Sequence, residues 1–281
     1  MTLLPHPVTR QPFASPVPAG TGWPDDPASS STPVAVSADD VRRLAAVADL
    51  GELDARVSVC SACPRLVSWR EKVAVEKRAS FADQPYWGRP IAGWGDPDAT
   101  VLIVGLAPAA NGGNRTGRVF TGDSSGDWLF ASLHRVGLAA LPTSVHAGDG
   151  QRLIGARMVA TVRCAPPQNK PTTAERDTCQ PWIRREIALV ASSLRVVVAL
   201  GAFGWAGTLD AFAAAGYAVP RPRPRFGHGA TAVLDGPRPL TLLGSYHPSQ
   251  QNTFTGKLTE AMLDDVLGRA VRMSRPPYPN R

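Results

Sequence analysis

Cysteine, lysine and long apolar runs are what this chain of 281 residues has least of. Four cysteines are too few for the disulfide scaffold of a small secreted protein. No run of 18 apolar residues occurs, and the first 20 residues lack the apolar core of an export signal, so neither a membrane protein nor an export substrate is expected. Lysines number four against 26 arginines, and the formal net charge is +7. Arginine suits planar, bidentate recognition of phosphate, but GC-rich coding raises its count equally well. Charge alone permits a nucleic-acid partner without requiring one. With 43% hydrophobic and 19% charged residues, the body is globular and wholesale disorder is excluded.

Residues 1–37 hold eight of the 27 prolines and a triple serine, and are expected to form a disordered arm. That arm carries one arginine and two aspartates, which leaves +8 on the single domain expected over 38–281. Short apolar runs at 100–106, 158–163, 196–200, 231–234 and 240–245 read as buried strands. Helical patterns at 126–136, 173–193 and 255–273 separate most of them, and Asp39 is expected to cap a short helix reaching Leu50. In the second pattern Thr172 and Glu175 form a capping box, and Cys179, Trp182, Ile183, Ile187 and Val190 share one face. Strands alternating with helices predict an α/β fold with a mainly parallel central sheet, whose ligands bind beyond the carboxyl ends of the strands.

Three motifs fall at those ends. The cysteines come as Cys60-x2-Cys63 followed by Cys164 and Cys179, a complete set of four thiolates. A Cys-x-x-Cys pair lets both sulfurs reach one metal centre. Spacing alone leaves zinc and an iron–sulfur cluster nearly even. The second motif is the loop Gly105-Leu-Ala-Pro-Ala-Ala-Asn-Gly-Gly-Asn-Arg-Thr-Gly-Arg-Val-Phe-Thr-Gly-Asp123. It offers close backbone approach, an aromatic face in Phe120, a carboxylate in Asp123 and two cations in Arg115 and Arg118, and it lacks the phosphate-loop pattern. The third is Ser245-Tyr-His-Pro-Ser249, with His247 held by a proline turn and followed by Gln250, Gln251 and Asn252. His6 and His146 read as bystanders, His134 as a helix residue, and His228 as a phosphate contact within a loop carrying Arg221, Arg223 and Arg225.

These motifs, with the segment Arg163-Cys-Ala-Pro-Pro-Gln-Asn-Lys-Pro171, resemble the uracil-DNA glycosylase superfamily, and most closely its family 5. The resemblance spans residues 57–273. It implies a three-layer α/β/α fold around a four-stranded parallel sheet and a [4Fe–4S] cluster on Cys60, Cys63, Cys164 and Cys179. It implies hydrolysis of the N-glycosidic bond of uracil, and of other deaminated bases such as hypoxanthine, in DNA, with double-stranded DNA as the main partner and single-stranded DNA as a further one. A base must be flipped out and stacked on an aromatic platform, here Phe120. A donor aimed at the departing base oxygen falls to His247, and orientation of water or stabilisation of the sugar cation falls to Asp123. Asn169 is a second catalytic candidate or a reader of the base edge. Gly105, Leu106, Ala107, Asn111 and Ser249 complete the implied substrate site. Two departures stand out: the segment from Ala107 to Ala110 lacks the polar residue that the most active families carry, a loss shared across family 5, and Asn111 replaces the histidine of the family loop. The resemblance also implies a monomeric, cytoplasmic, nucleoid-associated protein. The alternative from another class is a non-catalytic iron–sulfur protein that binds damaged DNA. A covalent uracil binder is weaker, because the basic insert of such relatives is missing between Gly105 and Trp128.

Overall fold

The computed structural model describes residues 2–275. In chain order its elements are β1 (Leu4–Pro5), β2 (Pro12–Phe13), α1 (Ala38–Leu44), α2 (Leu50–Ser58), α3 (Pro64–Glu76), β3 (Trp94–Gly95), β4 (Val101–Gly105), α4 (Gly113–Thr116) and α5 (Ser124–Arg135). They continue with β5 (Ala156–Ala160), α6 (Thr173–Val190), β6 (Val196–Leu200), α7 (Gly201–Ala214), β7 (Thr231–Leu234), β8 (Leu240–Ser245), α8 (Gln250–Phe254) and α9 (Glu260–Ser274).

The sheet order is β3-β5-β4-β6-β8-β7. Strands β5, β4, β6 and β8 pair in parallel, and the edge strands β3 and β7 pair antiparallel. The expected four-stranded parallel sheet is therefore present, extended by one antiparallel strand at each edge. Strand β4 is buried on both faces, as a parallel strand covered by helices should be. Its residues alternate: Val101 and Ile103 meet α5 and α9, which contribute Leu129, Leu133, Leu263 and Leu267. Leu102 and Val104 meet α6 and α7, which contribute Ile183, Ile187, Leu209 and Phe212. Two helical layers thus enclose one sheet, and the carboxyl ends of β4, β5 and β8 feed the three motif-bearing loops.

Several element boundaries differ from the sequence reading for local reasons. Ser37, not Asp39, caps α1, and the chain breaks before Asp49 caps α2. The pattern at 255–273 divides into α8 and α9, with Thr259 capping the second. The Thr172–Glu175 capping box is present on α6.

The proline-rich segment is not a disordered arm. Phe13, Val17 and Trp23 are buried in the same core as β4 and α5. Trp23 packs against Phe13 and Trp87 with ring centroids 5.2 and 5.9 Å away. Asp26 makes a paired contact with the buried Arg89 at 2.8 and 3.1 Å, and Asp25 reaches Arg118. Prolines restrict the unfolded chain, so laying this extended segment on the body costs less entropy than its composition suggests. Trp23→Ala is expected to cost about 3–5 kcal/mol, the usual loss for a large aromatic removed from a core. Urea unfolding checks it, and a loss below about 1 kcal/mol would mean that the segment does not share the core.

Candidate active site

Gly105 ends β4, and the ring of Phe120 lies against it: a Cβ added there would stand 2.6 Å from Phe120 Cζ. Phe120 takes a left-handed backbone conformation, φ 50°, which returns the loop over the end of its own strand. The His247 ring meets Phe120 with centroids 5.9 Å apart and planes tilted by 38°. His247 is held from behind by Gly201, whose hydrogen-sized side faces the His247 Cβ, and by Asn252 Nδ2, which donates to the His247 carbonyl at 2.8 Å. Burial pushes the His247 pKa down to about 4, so the imidazole is neutral near pH 7 and carries one N–H to donate.

Asp123 occupies the N-cap position of α5, where its Oδ1 accepts from the Gly126 N–H at 2.9 Å. Its other oxygen lies against the backbone of Gly112, where no side chain would fit. Burial raises the Asp123 pKa, opposed by the Gly126 and Ser125 N–H groups and the charge of Arg115. Asp123 and Asn111 line one cavity of about 460 Å³, together with Gln84, Arg115, Ser124 and Gln250. Asp123 therefore does two jobs with two oxygens: one satisfies the helix terminus, and the other remains near the cavity.

The remaining expected residues divide. The Leu106 carbonyl accepts from Val162 N–H and from Thr161 Oγ1, at 2.9 Å each, tying the first loop to the chain after β5. Ala107 packs with Leu66, Val162 and Cys164, on the cysteine side of the loop. Ser249 precedes α8, and its hydroxyl makes no capping bond. Asn169 lies on an exposed turn after β5 with φ 57°; like Phe120 and His247, it does not line the cavity of Asp123.

Three expectations about cations and histidines need correction. Arg115 and Arg118 are not free to meet a ligand. Arg115 is buried and donates to the Asn111 carbonyl, Gln84 Oε1 and the Gly122 carbonyl at 2.7–2.9 Å. Arg118 is buried between Asp149, Asp25 and Ser144, since a buried guanidinium must be paired. His228 is turned inward: its Nδ1 accepts the Tyr246 N–H at 3.2 Å, so it steadies the segment that bears His247. Tyr86, which sequence reasoning missed, is fully buried and donates its hydroxyl proton to Asn111 Oδ1 at 3.0 Å. No local motif marks it, because its partner lies 25 residues away.

The four cysteines line a second, separate cavity with Leu66, Arg70, Val162 and Trp182. Arg70 Nη1 donates to Cys164 Sγ and to the Cys60 carbonyl, both at 3.0 Å, and the Arg163 N–H donates to Cys179 Sγ at 3.4 Å. Burial drives the Cys60, Cys63 and Cys179 thiols up, Cys63 to about 12, with repulsion among the sulfurs adding to it. Among the described residues, no three Cys, His, Asp or Glu side chains converge closely enough to hold a single metal ion.

Comparison with known proteins agrees with this architecture at two levels. The sequence profile of the uracil DNA glycosylase superfamily matches residues 92–269, from β3 into α9. The type-5 uracil-DNA glycosylase of Mycobacterium tuberculosis is 56% identical over 270 residues, covering 96% of this chain and 98% of that protein. The proteins of the same name from Thermus thermophilus and Pyrobaculum aerophilum are 48% and 44% identical, covering 78% and 76% of this chain and 95% and 89% of their own lengths. This chain belongs to the type-5 family of the uracil-DNA glycosylase superfamily.

The close fit of Phe120 on Gly105 gives a direct test of the site's geometry. Gly105→Ala places a methyl group inside the Phe120 ring, so turnover is expected to fall about 10-fold or more through misplacement of reacting groups. Circular dichroism should stay native. Unchanged turnover would show that the ring's seat on β4 is not needed.

Proposed function

We propose that this protein removes uracil from DNA by hydrolysing its N-glycosidic bond, the first step of base-excision repair. The observation that carries the reading is the meeting of Phe120 with His247 over the end of β4, with Phe120 three residues before Asp123 in the same loop. An aromatic face, a neutral imidazole donor and a partly desolvated carboxylate are the three things the reaction asks of a protein.

The flipped base stacks on Phe120. As the C–N bond breaks, negative charge grows on the base and positive charge on the sugar. His247 donates a hydrogen bond to the base oxygen. A neutral imidazole suits this role, because its donor faces the oxygen where charge develops without placing an extra cation in a buried site. Asp123 orients the attacking water and opposes the sugar cation. Asn169, exposed on its turn, is assigned to the edge of the DNA substrate rather than to the reacting atoms. Phe254, 76% exposed on α8, is the apolar side chain suited to enter the space the base leaves.

The four cysteines are assigned to a [4Fe–4S] cluster. The donor set fits: four sulfurs face one cavity with no nearby acidic or imidazole competitor among its lining residues. Arg70 and the Arg163 amide supply N–H donors that thiolates need. Bound there, the cluster would supply a rigid iron–sulfide cross-link between α3, the chain after β5 and α6. The purified protein should therefore contain about four irons per chain and absorb visible light. Cys164→Ser should lose both, and iron-free wild-type protein retaining native stability would overturn the assignment.

Excision is tested by incubating the protein with uracil-containing DNA, double- and single-stranded, and with hypoxanthine-containing DNA, then cleaving abasic sites. Asp123→Asn keeps an oxygen for the Gly126 N–H but removes the charge, and is expected to lower the single-turnover rate about 10²–10³-fold with little change in Tm. His247→Ala should lower it by a similar factor. The acid limb of the rate should lie above the ordinary carboxylate range, because burial raises the Asp123 pKa. The active form is the carboxylate, so the rate falls as pH drops through that value, and the limb disappears in Asp123→Asn. No limb is expected between pH 6 and 7 from His247, which is already neutral there. A limb in that range that vanished with His247→Ala would reverse the two roles.

A further inference from the structure

The hydrogen bonds around Tyr86 run in one direction. The Arg78 backbone N–H points at the Tyr86 hydroxyl at 3.4 Å, and a backbone N–H can only donate. The hydroxyl therefore accepts there, and its own proton goes to Asn111 Oδ1 at 3.0 Å. An amide whose oxygen is taken must present its NH₂ group elsewhere. Among the described residues that NH₂ has no partner within the protein, and Asn111 lines the cavity with Asp123. The backbone of Asn111 is fixed independently, because its carbonyl accepts from Arg115 Nε at 2.9 Å. Tyr86 is itself anchored from the N-terminal segment: its N–H donates to Ser15 Oγ at 2.8 Å.

We propose that Tyr86 is a positioning residue that locks the Asn111 amide with its NH₂ toward the cavity, and that this NH₂ and the Asp123 carboxylate together hold the attacking water. The inference rests on the uracil-excision reading of the same site. A water molecule offers two protons and two lone pairs. Donating one proton to Asp123 and accepting one hydrogen bond from Asn111 fixes its orientation, and the second lone pair is left to face the sugar. The opposite amide orientation would put two acceptors, Oδ1 and the carboxylate, on the same water, engaging both of its protons and removing the N–H donor that turns one lone pair away from the sugar. Backbone polarity thus reaches the site through one tyrosine hydroxyl. Neither Tyr86 nor Asn111 needs to titrate for this.

The test is a double-mutant cycle in single-turnover uracil excision, using Tyr86→Phe, Asn111→Ala and the pair, with Tm and DNA affinity measured for each. Excision by the wild-type chain comes first. Its absence would overturn the functional reading itself, separately from this inference. With excision present, Tyr86→Phe should slow the chemical step about 5- to 10-fold without changing DNA affinity, and Asn111→Ala should slow it more. Tyr86→Phe added to Asn111→Ala should cause no further loss, because the hydroxyl then has no amide to orient. Asn111→Asp, which keeps the shape but replaces the donor with an acceptor, should be at least as slow as Asn111→Ala. A loss from Tyr86→Phe that is undiminished in the Asn111→Ala background would overturn the proposal. So would an Asn111→Asp enzyme of wild-type rate, or a Tyr86→Phe enzyme slowed only in proportion to weaker DNA binding.

Discussion

Two buried guanidinium groups hold the loop on which the candidate active site depends. Residues 105–123 form too long a connection to keep one shape by turn chemistry alone. Arg115 and Arg118 give it an interior. Arg115 bridges Asn111 and Gly122, near the two ends of the cavity wall, and crosses the Phe81 ring at 3.9 Å. Arg118 is enclosed by Asp149, Asp25 and Ser144, over the Trp94 ring at 4.4 Å. Breaking such a pair would leave a charge in a dry place, a cost of several kcal/mol. The loop therefore has few alternatives, and Phe120, Asp123 and Asn111 inherit its rigidity. A site that holds its dipoles in place before the reaction needs no reorganisation during it.

Burial moves the two titratable groups of the site in opposite chemical senses and so separates their roles. It disfavours the charged form of each, lowering the His247 pKa and raising that of Asp123. Asp123 recovers part of that penalty from two backbone N–H groups and Arg115, whereas nothing comparable supports an imidazolium at His247. The result is a neutral donor next to Phe120 and, lining the cavity, a carboxylate whose pKa burial raises. The same helix terminus that would otherwise leave amide groups unpaired is what makes the carboxylate tolerable.

Much of this was legible in the residues, and the failures have physical causes. The apolar runs gave the strands because burial on both faces of a parallel sheet removes polar residues from them. Helix α7 was missed because it is apolar around most of its circumference, with Phe203, Trp205, Leu209 and Phe212 among alanines, so no period of 3.6 stands out. The N-terminal segment was misjudged because prolines were counted and aromatics were not. Phe13 and Trp23 are the signal, and after Pro24 come Asp25 and Asp26, which pair with Arg118 and Arg89. A sequence shows charge but not its partner, so Arg115 and Arg118 look open to a ligand, whereas Gln84 and Asp149, their partners, lie about 30 residues away. The meeting of Phe120 with His247 follows from both lying on loops that leave the carboxyl ends of β4 and β8, which run parallel in one sheet.

The cysteine cavity and the cleft of Asp123 are distinct, yet a single chain of contacts joins them. Arg70 donates to Cys164 on one side, and its own carbonyl accepts from Asn114 Nδ2 at 3.1 Å. Asn114 lies on α4 inside the first loop, and its carbonyl in turn accepts the Gly88 N–H at 2.9 Å. Neighbouring Trp87 N–H donates to the Arg115 carbonyl at 3.0 Å, and Trp87 packs on Trp23. The order of the loop is thus set from three sides at once: from the cysteines through Arg70, from the N-terminal segment through Trp23 and Asp25, and from β4 through Gly105. Each support is remote in sequence from the others, so the loop can hold its shape only in the completed fold. Such a site is held stiffly, which is what a reaction needs when its barrier falls through fixed dipoles rather than through a strongly nucleophilic side chain.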